Sequence, residues 1–241
     1  MKSLESICNI DLELLKKCIN GKYTINDDGS IDVDGEVDLS RKKLTKIPFK
    51  FRNVSGDFYC HNNQLTSLKG SPNTVGGGFY CYFNQLTSLE GAPNNVGGGF
   101  LCDHNQLTSL EYAPNTVDDY FECSSNQLTS LEGAPNTVGD NFYCTNNKLT
   151  SLEGAPNNVG GNFYCYDNNQ LTSLDGAPNN VGGDFYCYDN PNLSYTELFK
   201  IVDNVKGNIY YSSLYTPEDK IRRDRDVKET LKDDELGSLD V

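Results

Sequence analysis

The sequence predicts a repeat solenoid, one short unit stacked many times with a parallel β-sheet along its length. The first observation behind this is a phrase that returns every 21 residues. It reads VSGDFYCHNNQLTSL from Val54, VGGGFYCYFNQLTSL from Val75, VGGGFLCDHNQLTSL from Val96 and VDDYFECSSNQLTSL from Val117. VGDNFYCTNNKLTSL, VGGNFYCYDNNQLTSL and a shortened VGGDFYCYDNPNLS follow from Val138, Val159 and Val181. A unit this short cannot bury its own apolar side chains and must stack on its neighbours. The second observation is a period-two alternation in which Phe58, Cys60 and Leu65 point inward while Tyr59 and His61 point out.

Each part of the unit has a physical role. Asn63, Asn84, Asn105, Asn126, Asn147 and Asn190 recur just past the strand, where an amide can satisfy backbone groups of adjacent coils. Leu68, Leu89, Leu110, Leu131, Leu152 and Leu174 form another core column. The remainder, G-A-P-N-N-V-G-G, carries Gly and Pro in place of helix formers, so this side should be extended or turn-like. In the last two full units one residue is inserted past the strand, Asn168 or Asn169 in the first and Pro191 in the second.

The ends differ from the middle. Residues 3–19 read as an amphipathic helix with Leu4, Ile7, Cys8, Leu12, Leu15 and Ile19 on one side. Residues 23–34 read as a hairpin around Asp28-Gly29. Ser194, with Glu197 at capping-box spacing, opens a short helix through Val202. Residues 209–211 suit a final strand, and Pro217 to Leu236 a charged helix. The expected division is therefore 1–32 as an N-terminal helix-and-hairpin cap, 33–196 as the solenoid and 197–241 as a C-terminal cap.

The chain has nine cysteines. Seven (Cys60, Cys81, Cys102, Cys123, Cys144, Cys165, Cys187) are locked to the repeat and behave as one apolar layer. Reduced, buried thiols are expected, which suits a cytoplasmic location. No apolar run approaches a membrane span, and the N-terminus lacks a signal peptide's apolar core. The formal net charge is −14. Between Val54 and Leu193 stand 14 acidic residues against two basic ones. That field repels phosphate backbones, so neither nucleic acid nor membrane is an expected partner, whereas a basic protein is.

The strand segment F-x-C-x-x-N-x-L resembles the leucine-rich repeat L-x-x-L-x-L-x-x-N-x-L, with Phe and Cys at two of the strand leucine sites. The match spans about 165 residues. VDLSRKKLTKIP is an eighth, degenerate copy in which Val37, Leu39 and Leu44 keep the core places and Lys42 replaces the asparagine. The wording F-Y-C-x-x-N-Q-L-T-S-L-E-G-A-P is also similar to leucine-rich-repeat proteins of large tailed bacteriophages. The resemblance implies a horseshoe with a parallel sheet on its concave face, a mostly extended or turn-like convex side, and helical caps. It also implies a bacterial host protein as the partner, with a role in host takeover or against host defence.

Stacked coils turn outward positions into columns. One reads Tyr59, Tyr80, Leu101, Glu122, Tyr143, Tyr164, Tyr186. The next reads His61, Tyr82, Asp103, Ser124, Thr145, Tyr166, Tyr188. A third reads Asn62, Phe83, His104, Ser125, Asn146, Asp167, Asp189. Two tyrosine-rich zones thus flank a more acidic middle at Asp103, Tyr120 and Glu122. Tyrosine suits a strand surface and stacks across neighbours, yet the middle coils drop the aromatics and keep the core. Binding is therefore the expected role of this face, with Asp103, Glu122, Asp167 and Asp189 steering a basic partner. Alanine at Tyr80, Tyr82, Tyr164 and Tyr166 should abolish binding and leave the fold intact. Glu90, Glu111, Glu132, Glu153 and Asp175 read as solvated edge decoration.

No residue set suggests chemistry. Cys102 points inward and His104 outward, which separates the one cysteine–histidine pair. His61 and His104 lie two coils apart without other ligands at metal spacing. Residues 30–35 mimic part of a calcium loop but place Arg41 where the last acidic ligand belongs. The expectation is a non-enzymatic protein-binding module without metal or cofactor. A glycan-binding module is one alternative. A structural or assembly protein that self-associates through its ends is another.

Overall fold

In a computed structural model, residues 11–211 are described. They form a parallel β-solenoid of about nine turns. Residues Leu12–Cys18 form helix α1, capped by Asp11, whose carboxylate accepts from the Leu14 N–H at 3.0 Å. Strands β1 (Ile19–Ile25) and β2 (Ile31–Asp38) follow as an antiparallel hairpin. The hairpin expected around Asp28-Gly29 is therefore present, with longer arms. The part of the expected helix before residue 11, and the expected helix after Pro217, lie outside the described residues.

From β2 onward each coil contributes two very short strands, so two parallel ladders run along the molecule. One ladder is built at the valines: Val33 of β2, then Val54 of β3 (Phe51–Val54), Val75, Val96, Val117, Val138, Val159 and Val181. The other is built at the phenylalanines. Val37 and Asp38 of β2 pair with β4 (Phe58–Tyr59), and the register continues through Phe79, Phe100, Phe121, Phe142, Phe163 and Phe185 to Ile209. The ladders run from Ile31 to Tyr210, across both 32/33 and 196/197.

This corrects two expectations. The second ladder makes each coil a two-sided turn, not the single-sheet coil of a horseshoe. Among the described residues the edges are not closed by helices alone: the β1 hairpin with α1 covers the first rung, while a 3-10 turn over Tyr195–Lys200 and the strand Ile209–Tyr210 form the last described one. Ser194 does cap that turn, accepting from the Thr196 N–H. Glu197 accepts from Ser173 and Leu174 instead of closing a capping box, and the turn ends at Lys200, not Val202.

The core is a stack of like on like. Phe58, Phe79, Phe100, Phe121, Phe142, Phe163 and Phe185 are fully buried, with ring centroids 5.0–5.5 Å apart. The cysteine and leucine columns are buried beside them. All eight cysteines in the described residues are free and buried. Burial pushes the ladder thiols far up in pKa. They act as packing, as expected.

The asparagine ladder joins the coils. Asn84 Nδ2 donates to the carbonyls of Cys60 and Cys81 at 3.0 Å each, and its Oδ1 accepts from the Leu65 N–H at 2.9 Å. Asn105, Asn126 and Asn147 repeat the pattern. Asn168 holds the ladder place in its coil, which identifies Asn169 as the inserted residue. In the degenerate first coil, Asn63 supplies the bridge, accepting from the N–H groups of Lys42 and Leu44.

The corner between the two ladders explains one glycine column. A Cβ at Gly76, Gly97, Gly139, Gly160 or Gly182 would stand 2.0–2.4 Å from a carbonyl oxygen of the preceding coil. Those residues instead donate to the valine carbonyl one coil back, as Gly97 does to Val75 at 3.0 Å. Asp118 occupies this place in its coil. There the valine ladder shrinks to the single pair Val96–Val117, and no Asp118-to-Val96 backbone bond forms among the described residues.

Candidate functional site

The Phe ladder aims its outward residues at one face. The first column is a run of stacked rings: Tyr59 on Tyr80 at 4.8 Å, then Tyr143, Tyr164, Tyr186 and Tyr210 at 4.5–4.6 Å. In the second column His61 stacks on Tyr82 at 4.3 Å and Tyr166 on Tyr188 at 4.6 Å. The rings cover each other's faces and present their edges and hydroxyls. Parallel coils about 4.8 Å apart impose this on identical flat side chains.

The hydroxyls are held by residues two places earlier in the chain. Tyr59 Oη donates to Asp57 at 2.7 Å, Asn162 donates to Tyr164 Oη at 2.9 Å, and Tyr186 Oη donates to Asp184 at 3.2 Å. The same three residues accept a backbone N–H from the next coil, Asp57 from Gly78, Asn162 from Asp184 and Asp184 from Asn208, as Asn141 does from Asn162, at 2.6–2.7 Å. The sequence reading missed this second polar ladder, although its signal was printed there. Asp or Asn precedes the Phe-Tyr pair in the outer coils, and Gly78, Gly99 and Tyr120 replace it in the middle.

That replacement reshapes the middle of the face. Leu101 and Glu122 interrupt the ring column between Tyr80 and Tyr143, and Asp103, Ser124 and Thr145 interrupt the second column between Tyr82 and Tyr166. Tyr120 takes part of the space. Its ring would lie 2.9 Å from a Cβ at Gly99. Gly99 is thus required by the tyrosine of the next coil.

Two carboxyl groups occupy the interruption. Asp103 is 7 % exposed; its Oδ2 meets His104 Nδ1 at 2.7 Å, while Oδ1 is buried without a hydrogen-bond partner. Burial pushes the Asp103 carboxyl up in pKa, against the lowering effect of His104. The Glu122 carboxylate has no hydrogen bond or ion pair among the described residues, while its backbone carbonyl accepts from the Cys102 N–H at 2.8 Å. Burial, followed by the nearby Asp103 charge, pushes it up to about 7. Burial also lowers the pKa of His61. A buried carboxylate oxygen without a partner, as at Asp103, and a half-buried carboxylate without one, as at Glu122, both cost stability, so folding alone gives no reason for these residues to be here.

The third column has a local explanation that the sequence reading did not see. Asn62, Phe83, His104, Ser125, Asn146, Asp167 and Asp189 all have φ between 49° and 59°. Asn and Asp tolerate this left-handed region better than other side chains. Asp167 and Asp189 therefore have a backbone reason for their identity, independent of any partner. Phe83 has none. It is 47 % exposed, in a conformation unfavourable to a bulky residue, and stacks on His104 at 4.1 Å.

A second outlier, Tyr112, was also missed. It replaces the glycine of the E-G-A-P phrase at φ 73° and is 56 % exposed. Its signal was E-Y-A-P where other coils read E-G-A-P. It borders an open groove on another side of the coils, lined also by Lys46, Phe49, Lys50 and Lys69. The expected acidic column is exposed there, and its local order comes from the LTSL serines: Ser88 and Ser109 hydroxyls accept the Glu90 and Glu111 N–H groups at 3.0 Å.

Neither metal nor thiol chemistry finds a constellation. Among the described residues no three His, Cys, Asp or Glu side chains are arranged to hold a metal ion, and the Cys102 thiol donates to the Glu122 carbonyl at 3.3 Å. No helix of the described residues is long and apolar enough to cross a membrane. No protein-family model matches the sequence, and no curated protein matches it.

Proposed function

We propose that this chain is a non-enzymatic binding protein of the leucine-rich-repeat type, which docks a basic protein partner on its tyrosine face. The observation that carries the reading is the mismatch between core and face. The Phe, Cys, Leu and Asn columns pass through the coils of Val96 and Val117 unchanged. The outward columns lose their rings there and gain Asp103 and Glu122. Stability favours neither change, whereas a cationic partner surface would compensate both carboxylates. The similarity of the repeat wording to bacteriophage proteins makes a host protein, in the host cytoplasm, the partner proposed.

The stacked rings weigh against the glycan alternative. Sugars are commonly held against aromatic faces, and those faces are here covered by neighbouring rings. Edges and hydroxyls remain, which suit protein contacts.

The test is capture from a bacterial lysate by tagged protein, beside a variant with alanine at Tyr80, Tyr82, Tyr164 and Tyr166. The stacking revises the expectation that this variant keeps its full stability. Each lost ring pair costs about 0.5–1.5 kcal/mol, so folding is verified by thermal melting under the capture conditions. The expected result is a basic protein held by the native sequence, released by salt and absent from the folded variant. Equal capture by both proteins overturns the reading.

A further inference from the structure

We propose that the interruption in the tyrosine ladder is a receptor for a guanidinium group, the side chain of a partner's arginine. The group would stack on the face of Tyr143 that no neighbouring ring covers, on the side of Glu122, and pair with the carboxylates of Glu122 and Asp103. This rests on the tyrosine face being the docking surface and names the chemistry of its anchor.

Four observations converge on it. Tyr143 stacks on Tyr164 on one side, while its in-register neighbour on the other side is Glu122, not a ring. Tyr80 and Tyr143 are three coils apart, about 14 Å at the usual strand spacing, and between them stand only Leu101 and Glu122. Asp103 is more than nine-tenths buried with one oxygen unpartnered. Its charge and that of Glu122 act on each other, so a cation placed between them relieves both.

The shape selects among cations. The tyrosine rungs of the column are flat groups at ladder spacing, and a guanidinium is flat, stacks on aromatic rings and offers paired N–H donors to a carboxylate. An ammonium provides the charge without the plane.

The test uses the full chain and N-acetyl-arginine amide, followed by the backbone amide signals of Leu101, Ser124 and Tyr143. Saturable shifts at these residues are expected. The neutral, isosteric N-acetyl-citrulline amide should bind at least about tenfold more weakly. Two variants should lose the response: Glu122→Gln removes the charge, and Leu101→Tyr closes the gap with the residue that Tyr80 and Tyr143 already place in this column. Equal shifts with citrulline, or no saturable shift, overturn the proposal. Capture of the partner separates the two readings. A partner lost by the four-tyrosine variant but retained by Glu122→Gln and Leu101→Tyr leaves the docking face standing and overturns the guanidinium receptor. A partner retained by all three variants overturns both.

Discussion

The coils of Val96 and Val117 and the coils that follow them, from Val138 to Tyr210, share a core and differ on the surface. In the later coils every device works together. Asn141, Asn162 and Asp184 tie each coil to the next, Asn162 and Asp184 hold a tyrosine hydroxyl, and the tyrosines stack without a break. In the earlier pair Gly99 and Tyr120 remove the polar ladder, Leu101 and Glu122 remove the rings, and Asp118 removes a backbone rung. Within a repeat array neighbours set most of the stability. A local loss of such couplings beside intact core columns marks the place where the surface answers to something other than folding.

The largest expected effect tests whether the core is indeed equal in both regions. Asn126→Ala leaves the buried Leu107 N–H without its partner and takes one of two asparagine donors from each of the Cys102 and Cys123 carbonyls. A loss of about 3 kcal/mol is expected in chemical denaturation. Asn147→Ala, the equivalent change in the later coils, should cost the same to within about 0.5 kcal/mol. A much smaller cost for Asn126 would mean that the middle is loosened through its core, and would break the comparison.

A middle-sized effect isolates the surface difference. Glu122 titrates at about 7 in the fold against an ordinary 4.5. Between those values the folded chain holds the extra proton, so its stability falls as pH rises through that window. Glu122→Gln removes this dependence. At pH 8 it should be more stable than the native sequence, by about 1–2 kcal/mol once solvent screening of a half-exposed carboxylate is allowed for. The difference should vanish by pH 4. Asp103 is also raised, so a weaker slope of the same sign should remain in the variant. A pH-independent difference would remove Glu122 from the account.

The smallest effect concerns the corner. Asp118→Gly permits the close approach made at Gly97 and Gly139 and should restore a backbone bond to Val96, raising stability by about 0.5–1 kcal/mol. Hydrogen exchange of the Asp118 amide should slow in step. Unchanged exchange would assign the lost rung to some other cause.

The repeat made the core legible in advance. Phe, Cys, Leu and Asn at fixed spacing admit few arrangements in which all are buried and hydrogen-bonded, and the buried columns are those that the alternation implied. The asparagine ladder followed from the same logic, since an amide at a recurrent buried turn must bridge coils. The second strand ladder was less legible. Gly and Pro signal an extended path, but pairing at Val75 and Val96 depends on how closely the coils approach. The outward columns were readable as columns and not as stacks, because stacking depends on ring orientation. The left-handed φ at Asn62 and Asp167 was visible only as an enrichment in Asn and Asp, which a partner-steering role explained equally well.

The sequence by itself therefore determined the solenoid and its core columns, because a 21-residue period constrains every copy at once, but His61, Asp103, Ser124 and Thr145, read as outward, are buried. The tertiary structure decided what the outward columns are doing. Coil spacing covers the tyrosine faces and places the Tyr120 ring over Gly99. It also buries Asp103 beside Glu122, where two carboxyl groups distant in sequence share one electrostatic environment.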